Sequence, residues 1–134
     1  MAHPLKSFGS VTLTRGVRIA VAPRFEPEQS EPGVFVFSYR IRITNETPGP
    51  VRLLSRRWLI VDAAGQKREV RGDGVVGQQP ELPPGGVFTY SSYCPLTTPS
   101  GTMEGQYTMV GADGERFEVE IGRFTLAAPG EHGA

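Results

Sequence analysis

The chain has 134 residues, 38% apolar and 21% charged, with a formal net charge of zero. That length suits one domain whose core needs no staples, and the balanced charge excludes the basic stripe of a nucleic-acid binder. Arg52, Arg56 and Arg57 are its densest basic group.

The first residues, through Thr14, are polar and weakly periodic and predict a flexible arm, although Val11 and Leu13 can add an edge strand. Val17, Ile19 and Val21 then alternate with Arg18, Ala20 and Ala22, a half-buried strand ending at Pro23. The clearest run follows: Phe35, Phe37, Tyr39, Ile41 and Ile43 alternate with Val34, Val36, Ser38, Arg40 and Arg42. It predicts a long strand with an aromatic inner face. Asn45 to Pro50 is a turn of breakers.

Val51–Asp62 is a third strand, its inner face either Leu54, Trp58 and Ile60 or Leu53, Leu59 and Val61. Gln66–Arg71 is polar and suits an edge. Gly72–Gly86, rich in glycine and proline, reads as loop. Val87–Tyr93, Thr102–Val110 and Arg116–Ile121 are further strands, the last two joined at Asp113-Gly114, the strongest hairpin signal in the chain. Phe124 and Leu126 close the core, and residues 127–134 read as a disordered tail.

The expected architecture is therefore all-β: an Ig-like or fibronectin type III-like two-sheet antiparallel β-sandwich of seven to eight strands over residues 15–126. A lone cysteine, Cys94, excludes an intrachain disulfide and fits a reducing compartment. MAHPLKSFGS lacks the apolar stretch of a secretory signal, and no run is long enough to span a membrane. A cytoplasmic protein is expected.

Gly72, Gly74 and Gly77 form a literal G-x-G-x-x-G. In a dinucleotide site such glycines open a helix whose amides hold pyrophosphate. Here Pro80, Pro83 and Pro84 follow, so no regular helix is expected. An irregular loop is the favoured reading, with a weak anion nest of backbone amides as the alternative. Arg71-Gly72-Asp73 spells an adhesion tripeptide, read as coincidence in a chain without a signal.

His3 and His132 stand in opposite end segments, Cys94 has no second cysteine, and the carboxylates follow no metal-loop pattern, so neither metal nor cofactor is expected. Nucleophilic catalysis lacks its usual histidine base. Cys94 reads as a small buried hydrophobe and Trp58 as core. Phe25, bracketed by Pro23 and Pro27, either faces a partner or plugs the sandwich end.

Several segments together resemble one family: Arg24–Ser30, Leu53–Asp62, Glu69–Pro80, Leu82–Gly85, Cys94-Pro95-Leu96, Pro99–Met103, Gly105-Gln106-Tyr107 and Asp113–Phe117. Over about residues 15–126 the chain is similar to the ApaG family. The resemblance implies a fibronectin type III-like sandwich. Related domains sit in eukaryotic F-box proteins and in a protein that interacts with DNA polymerase delta, which implies an interaction module. The bacterial family neighbours a diadenosine tetraphosphatase and a ribosomal RNA dimethyltransferase, and is linked to cobalt resistance and magnesium efflux. A chain without a membrane span would serve such efflux only indirectly.

The expected function is thus a non-catalytic protein-interaction module, with Phe25, Arg56 and Arg57 as the candidate partner surface and neither nucleic acid nor membrane as partner. The alternative is a pyrophosphate or nucleotide binder using Arg71, Gly72, Asp73, Gly74 and Gly77.

Overall fold

The computed structural model describes residues 9–130. Among them are nine strands: β1 (Ser10–Thr14), β2 (Val17–Phe25), β3 (Phe35–Asn45), β4 (Val51–Asp62), β5 (Lys67–Asp73), β6 (Glu81–Leu82), β7 (Val87–Leu96), β8 (Ser100–Gly111) and β9 (Arg116–Ala127). One sheet runs β1-β2-β3-β7; the other runs β5-β4-β8-β9, with β6 paired to β4. Every pairing is antiparallel. This is the expected two-sheet sandwich, with β1 as the edge strand offered by Val11 and Leu13 and the short β6 as a strand inside the segment read as loop.

Both chain ends are more ordered than expected. Residues 10–14, assigned to the arm, pair with β2 from Ser10↔Val21 to Thr14↔Val17. Ala127 ends β9, and the Ala128 amide bonds the Pro99 carbonyl. The rest of the predicted arm and tail, residues 1–8 and 131–134, lies outside the described residues. The edge strand that Val11 and Leu13 offered is β1, with its facing inverted. Ser10 and Thr12 turn their hydroxyls to the Gly122 and Glu120 carbonyls of β9, while Val11 and Leu13 are exposed. This contact closes one side of the sandwich.

A strand buries alternate residues unless a bulge resets the count. In β4 the register with β8 slips between Leu53 and Ser55. Val51 and Leu53 therefore face inward before the slip, and Trp58 and Ile60 after it. Neither inner face expected from strict alternation is correct throughout. The β8–β9 register shifts likewise: Gly105 faces Ile121 but Met103 faces Phe124. Gly122 and Arg123 of β9 together oppose the single Glu104 of β8, one residue in excess, so Val119 and Ile121 share the core with Phe124 and Leu126. Gly122 also lets β1 approach, since a Cβ there would stand 2.8 Å from the Thr12 methyl.

The core is aromatic at its centre. Tyr39 meets Trp58 at 5.3 Å between ring centroids, and Phe124 lies 6.0 Å from both. Tyr90 of one sheet and Tyr107 of the other share a hydroxyl hydrogen bond of 2.5 Å. Aromatic pairs of this kind add about 0.5–1.5 kcal/mol each beyond area burial.

The buried polar side chain is Asn45, fully enclosed at the end of β3. Its Nδ2 donates to the carbonyls of Gly49, Leu82 and Pro83, and its Oδ1 accepts from the Thr47 amide and hydroxyl. Its backbone also pairs with Gly85 and Gly86. One amide thus ties the turn after β3 to the loop before β7. Asn45→Ala leaves those groups unpaired in a dry site, and urea unfolding should show a loss of about 2–4 kcal/mol.

Candidate functional site

The glycine motif does not form a cradle. Gly72 lies in β5, paired with Arg56. Gly74 and Gly77 have positive φ, 62° and 79°, and so does Val76, at 43°. Val75 and Gln78 exchange both backbone hydrogen bonds, at 2.8 Å each. Two positive-φ residues between such a pair define a type I′ hairpin turn. The Gly74 amide is also taken, by the Leu54 carbonyl. β6 follows, not a helix. The amides of Gly74, Val75 and Gln78 are therefore committed to carbonyls rather than converging on an anion.

Gly72 and Gly74 each answer a contact, whereas Gly77 serves the turn by its positive φ alone. A Cβ on Gly74 would lie 2.3 Å from the Gln78 carbonyl oxygen. A Cβ on Gly72 would strike the Arg56 guanidinium, at 2.7 Å from Nη2 and 2.8 Å from Cζ. Arg56 thus lies flat on the Gly72 backbone, and its Nη1 donates to the carbonyls of Asp73 (3.0 Å) and Gly74 (2.8 Å). The bulge at Leu54 puts Arg56 on the same side of β4 as Trp58 and Ile60.

There it lines a cavity of about 280 Å³ with Trp58, Asp73, Val75–Gly77, and Tyr39, Tyr90 and Ser92 of the opposite sheet. The candidate loop residues Asp73 and Gly77 are thus brought to Arg56. Arg71 is not: it binds Glu69, which also binds Arg57, each at 2.6 Å, on the outer face of the β4 sheet. Both guanidinium groups hold the Glu69 carboxyl below its usual range, Arg57 most strongly.

The proposed partner trio of Phe25, Arg56 and Arg57 is dispersed. Arg56 and Arg57 leave β4 on opposite faces. Arg57 also bonds Gln106. Phe25 is half-buried, its ring 5.4 Å from that of Phe37, and so plugs the sandwich end.

The two faces of the molecule differ in a way the sequence did not signal. The outer face of the β4 sheet is laced with pairs, including Arg57–Glu69–Arg71 and Arg123–Glu104. The outer face of the β3 sheet carries Val11, Leu13, Val87 and Tyr93, four of the five large apolar side chains exposed among the described residues. The edges differ too. β5 has charged residues at Lys67, Arg68, Glu69, Arg71 and Asp73, whereas β7, Val87–Leu96, has none in ten residues. Arg68 reaches across the seam to the Pro95 carbonyl at the far end of β7.

Burial raises the phenols of Tyr39, Tyr90 and Tyr107, with the Arg56 charge opposing it weakly at each. Cys94 is buried as expected, and its thiol is pushed up by that burial. Among the described residues no group of three metal-ligating side chains gathers, and no helix is long and apolar enough to cross a membrane.

An aromatic-cored antiparallel sandwich closed on one side and seamed on the other is the class this geometry defines. The ApaG domain family matches residues 25–111. Protein ApaG of Anaeromyxobacter dehalogenans strain 2CP-1 is 52% identical over 121 residues, 90% of this chain and 97% of that one. Protein ApaG of Methylobacterium sp. strain 4-46 is 53% identical over 118 residues, 87% and 91% of the two chains. The chain belongs to the ApaG family. A crystal structure from Bordetella pertussis superposes with a TM-score of 0.81 at 48% identity, covering 94% of this chain and 98% of that one.

Two outcomes follow from this geometry. Val76 is β-branched, exposed and left-handed, a conformation costing about 1–3 kcal/mol. Val76→Asn should raise stability by about 1 kcal/mol, seen as a higher urea midpoint. The raised phenols bear on alkaline stability. A phenol whose folded pKa exceeds its unfolded value near 10 stabilises fully below that pH. That stabilisation is lost as pH climbs towards the folded value. Urea midpoints measured from pH 8 upward should hold and then fall beyond about pH 10, and Tyr107→Phe should shallow the fall.

Proposed function

We propose that this domain is a non-catalytic protein-interaction module that accepts an extended segment of another protein as an added strand on β7. The observation that carries the reading is the uncharged edge of β7. An edge strand offers unpaired backbone donors and acceptors, and proteins normally guard it with charge. β5 follows that rule, and β1 is covered by β9; among the described residues β7 is left open between Val87 and Tyr93. Exposed Val87 and Tyr93 supply side-chain contacts beside those backbone bonds.

The raised tyrosines and Cys94 all move away from neutrality, which suits packing better than proton transfer. The engaged amides at Gly74, Val75 and Gln78 weigh against pyrophosphate.

Thr89 and Ser91 are exposed on β7, so a lysine at each guards the edge without touching the core. In quantitative pull-downs, the wild-type chain should retain a protein that the Thr89→Lys/Ser91→Lys variant loses by about tenfold or more. In the retained complex, β7 amides should gain hydrogen-exchange protection. Equal recovery by both proteins would sink the reading.

A further inference from the structure

We propose that the Arg56 cavity is a carboxylate site, filled by a glutamate or aspartate side chain of the segment that adds to β7. This rests on the strand-addition reading and names the chemistry that segment must carry. Arg56 is aimed in advance. Its face lies on Gly72, and Nη1 is fixed by two carbonyls. Among the described residues its Nε and Nη2 have no hydrogen-bond partner, and no carboxylate lies within salt-bridge distance. No buried side-chain nitrogen among the described residues lacks a partner, so these two donors reach solvent. Arg18, Arg52, Arg57, Arg71 and Arg123, by contrast, each meet a carboxylate at 2.6 Å or less.

The surroundings select the ligand. Ser92 and Tyr39 add hydroxyls, and Trp58, Val75 and Val76 add apolar walls. A guanidinium fork with two open donors matches the two oxygens of one carboxylate. Delivery follows from the sheet. A strand added to β7 lies about 4.8 Å outside it. Side chains on its inward face then enter the seam beside Tyr90 and Ser92, towards Arg56. The strained Val76 turn forms the facing wall, and strain of this kind gathers at ligand clamps.

The test has two arms on the full chain. In the first, N-acetyl-glutamate N-methylamide is titrated against the ¹⁵N-labelled protein, with the glutamine analogue as control. The glutamate analogue should move the Arg56 side-chain signal and the Val76 and Gly77 amides; the glutamine analogue should not. Arg56→Met should abolish the response while its core tyrosine signals stay folded. Arg56→Lys, which keeps the charge and loses the fork, should weaken it by about tenfold. No response to the glutamate analogue at any soluble concentration overturns the carboxylate site.

In the second arm, displayed random peptides are selected on the wild type and counter-selected on Thr89→Lys/Ser91→Lys. The β7-dependent peptides should share an acidic position that Arg56→Met erases. β7-dependent peptides with no acidic position overturn the carboxylate site and leave strand addition standing. An Arg56 response to the free analogue with no β7-dependent peptide overturns strand addition, and this proposal with it.

Discussion

A β-strand buries every second residue, and in this domain the exceptions to that rule build the site. β4 must bury Val51 and Leu53 where it pairs with β6 and β8, and also Trp58 beside Tyr39 and Phe124. Those positions differ in parity, so one residue has to be absorbed, and Leu54 is that residue. The reset brings Arg56 inward with Trp58. Without it Arg57 would turn inward in place of Arg56, and Trp58 would be left on the outer face. An inward cation must then be accommodated without burial in hydrocarbon. The open seam between β5 and β7, the bare backbone of Gly72 and two loop carbonyls provide that accommodation.

How much of this was legible in the residues depended on whether local pattern and tertiary role agree. The Phe35–Ile43 alternation and the Asp113-Gly114 turn were readable because local pattern and global role coincide there; Gly114 takes φ 84° as the hairpin demands. β1 was offered as an edge strand, but its facing was hidden, because its apolar side chains point out. The bulges in β4 and β9 were hidden because parity is a property of pairing, not of one strand. The family resemblance carried the fold but not the site. The missing helix made an irregular loop the favoured reading of the glycine motif, with anion binding kept as the alternative. The motif's positive role was out of reach: Gly72 is there for Arg56, a contact across strands that a linear spacing cannot encode. Arg56 and Arg57 stood together in the sequence as one basic surface, and only the facing of β4 separates them.

The contrast between the two sheets has the same origin. On the outer face of the β4 sheet, cross-strand neighbours of opposite charge sit within reach, and the result is a solvated lattice of ion pairs. Exposed pairs of this kind contribute about 0–1 kcal/mol each, so their effect on stability is small. Their larger effect is on association. A face whose charges are mutually satisfied, flanked by the charged edge β5, offers little to a neighbouring strand. The β3 sheet lacks that guard along β7 and presents Val11, Leu13, Val87 and Tyr93 to water. An unguarded edge of this length is an aggregation hazard unless something regularly occupies it. Its retention in a fold that guards its other edges is the physical argument for a partner.

Stability considerations then separate the parts of the site. The Tyr90–Tyr107 hydroxyl pair is a closed polar contact between the sheets, fully satisfied and remote from solvent. Arg56 sits beyond it with part of its hydrogen-bonding capacity unused by the protein. Val76, at the tip of the neighbouring turn, holds a conformation that asparagine or glycine would adopt at lower cost. A fold selected for stability alone would relieve both features, since neither closes a contact that the core requires. An open guanidinium and a strained apolar turn on the two walls of one cavity, beside the one unguarded edge, are better explained as features of a surface that is completed by something else.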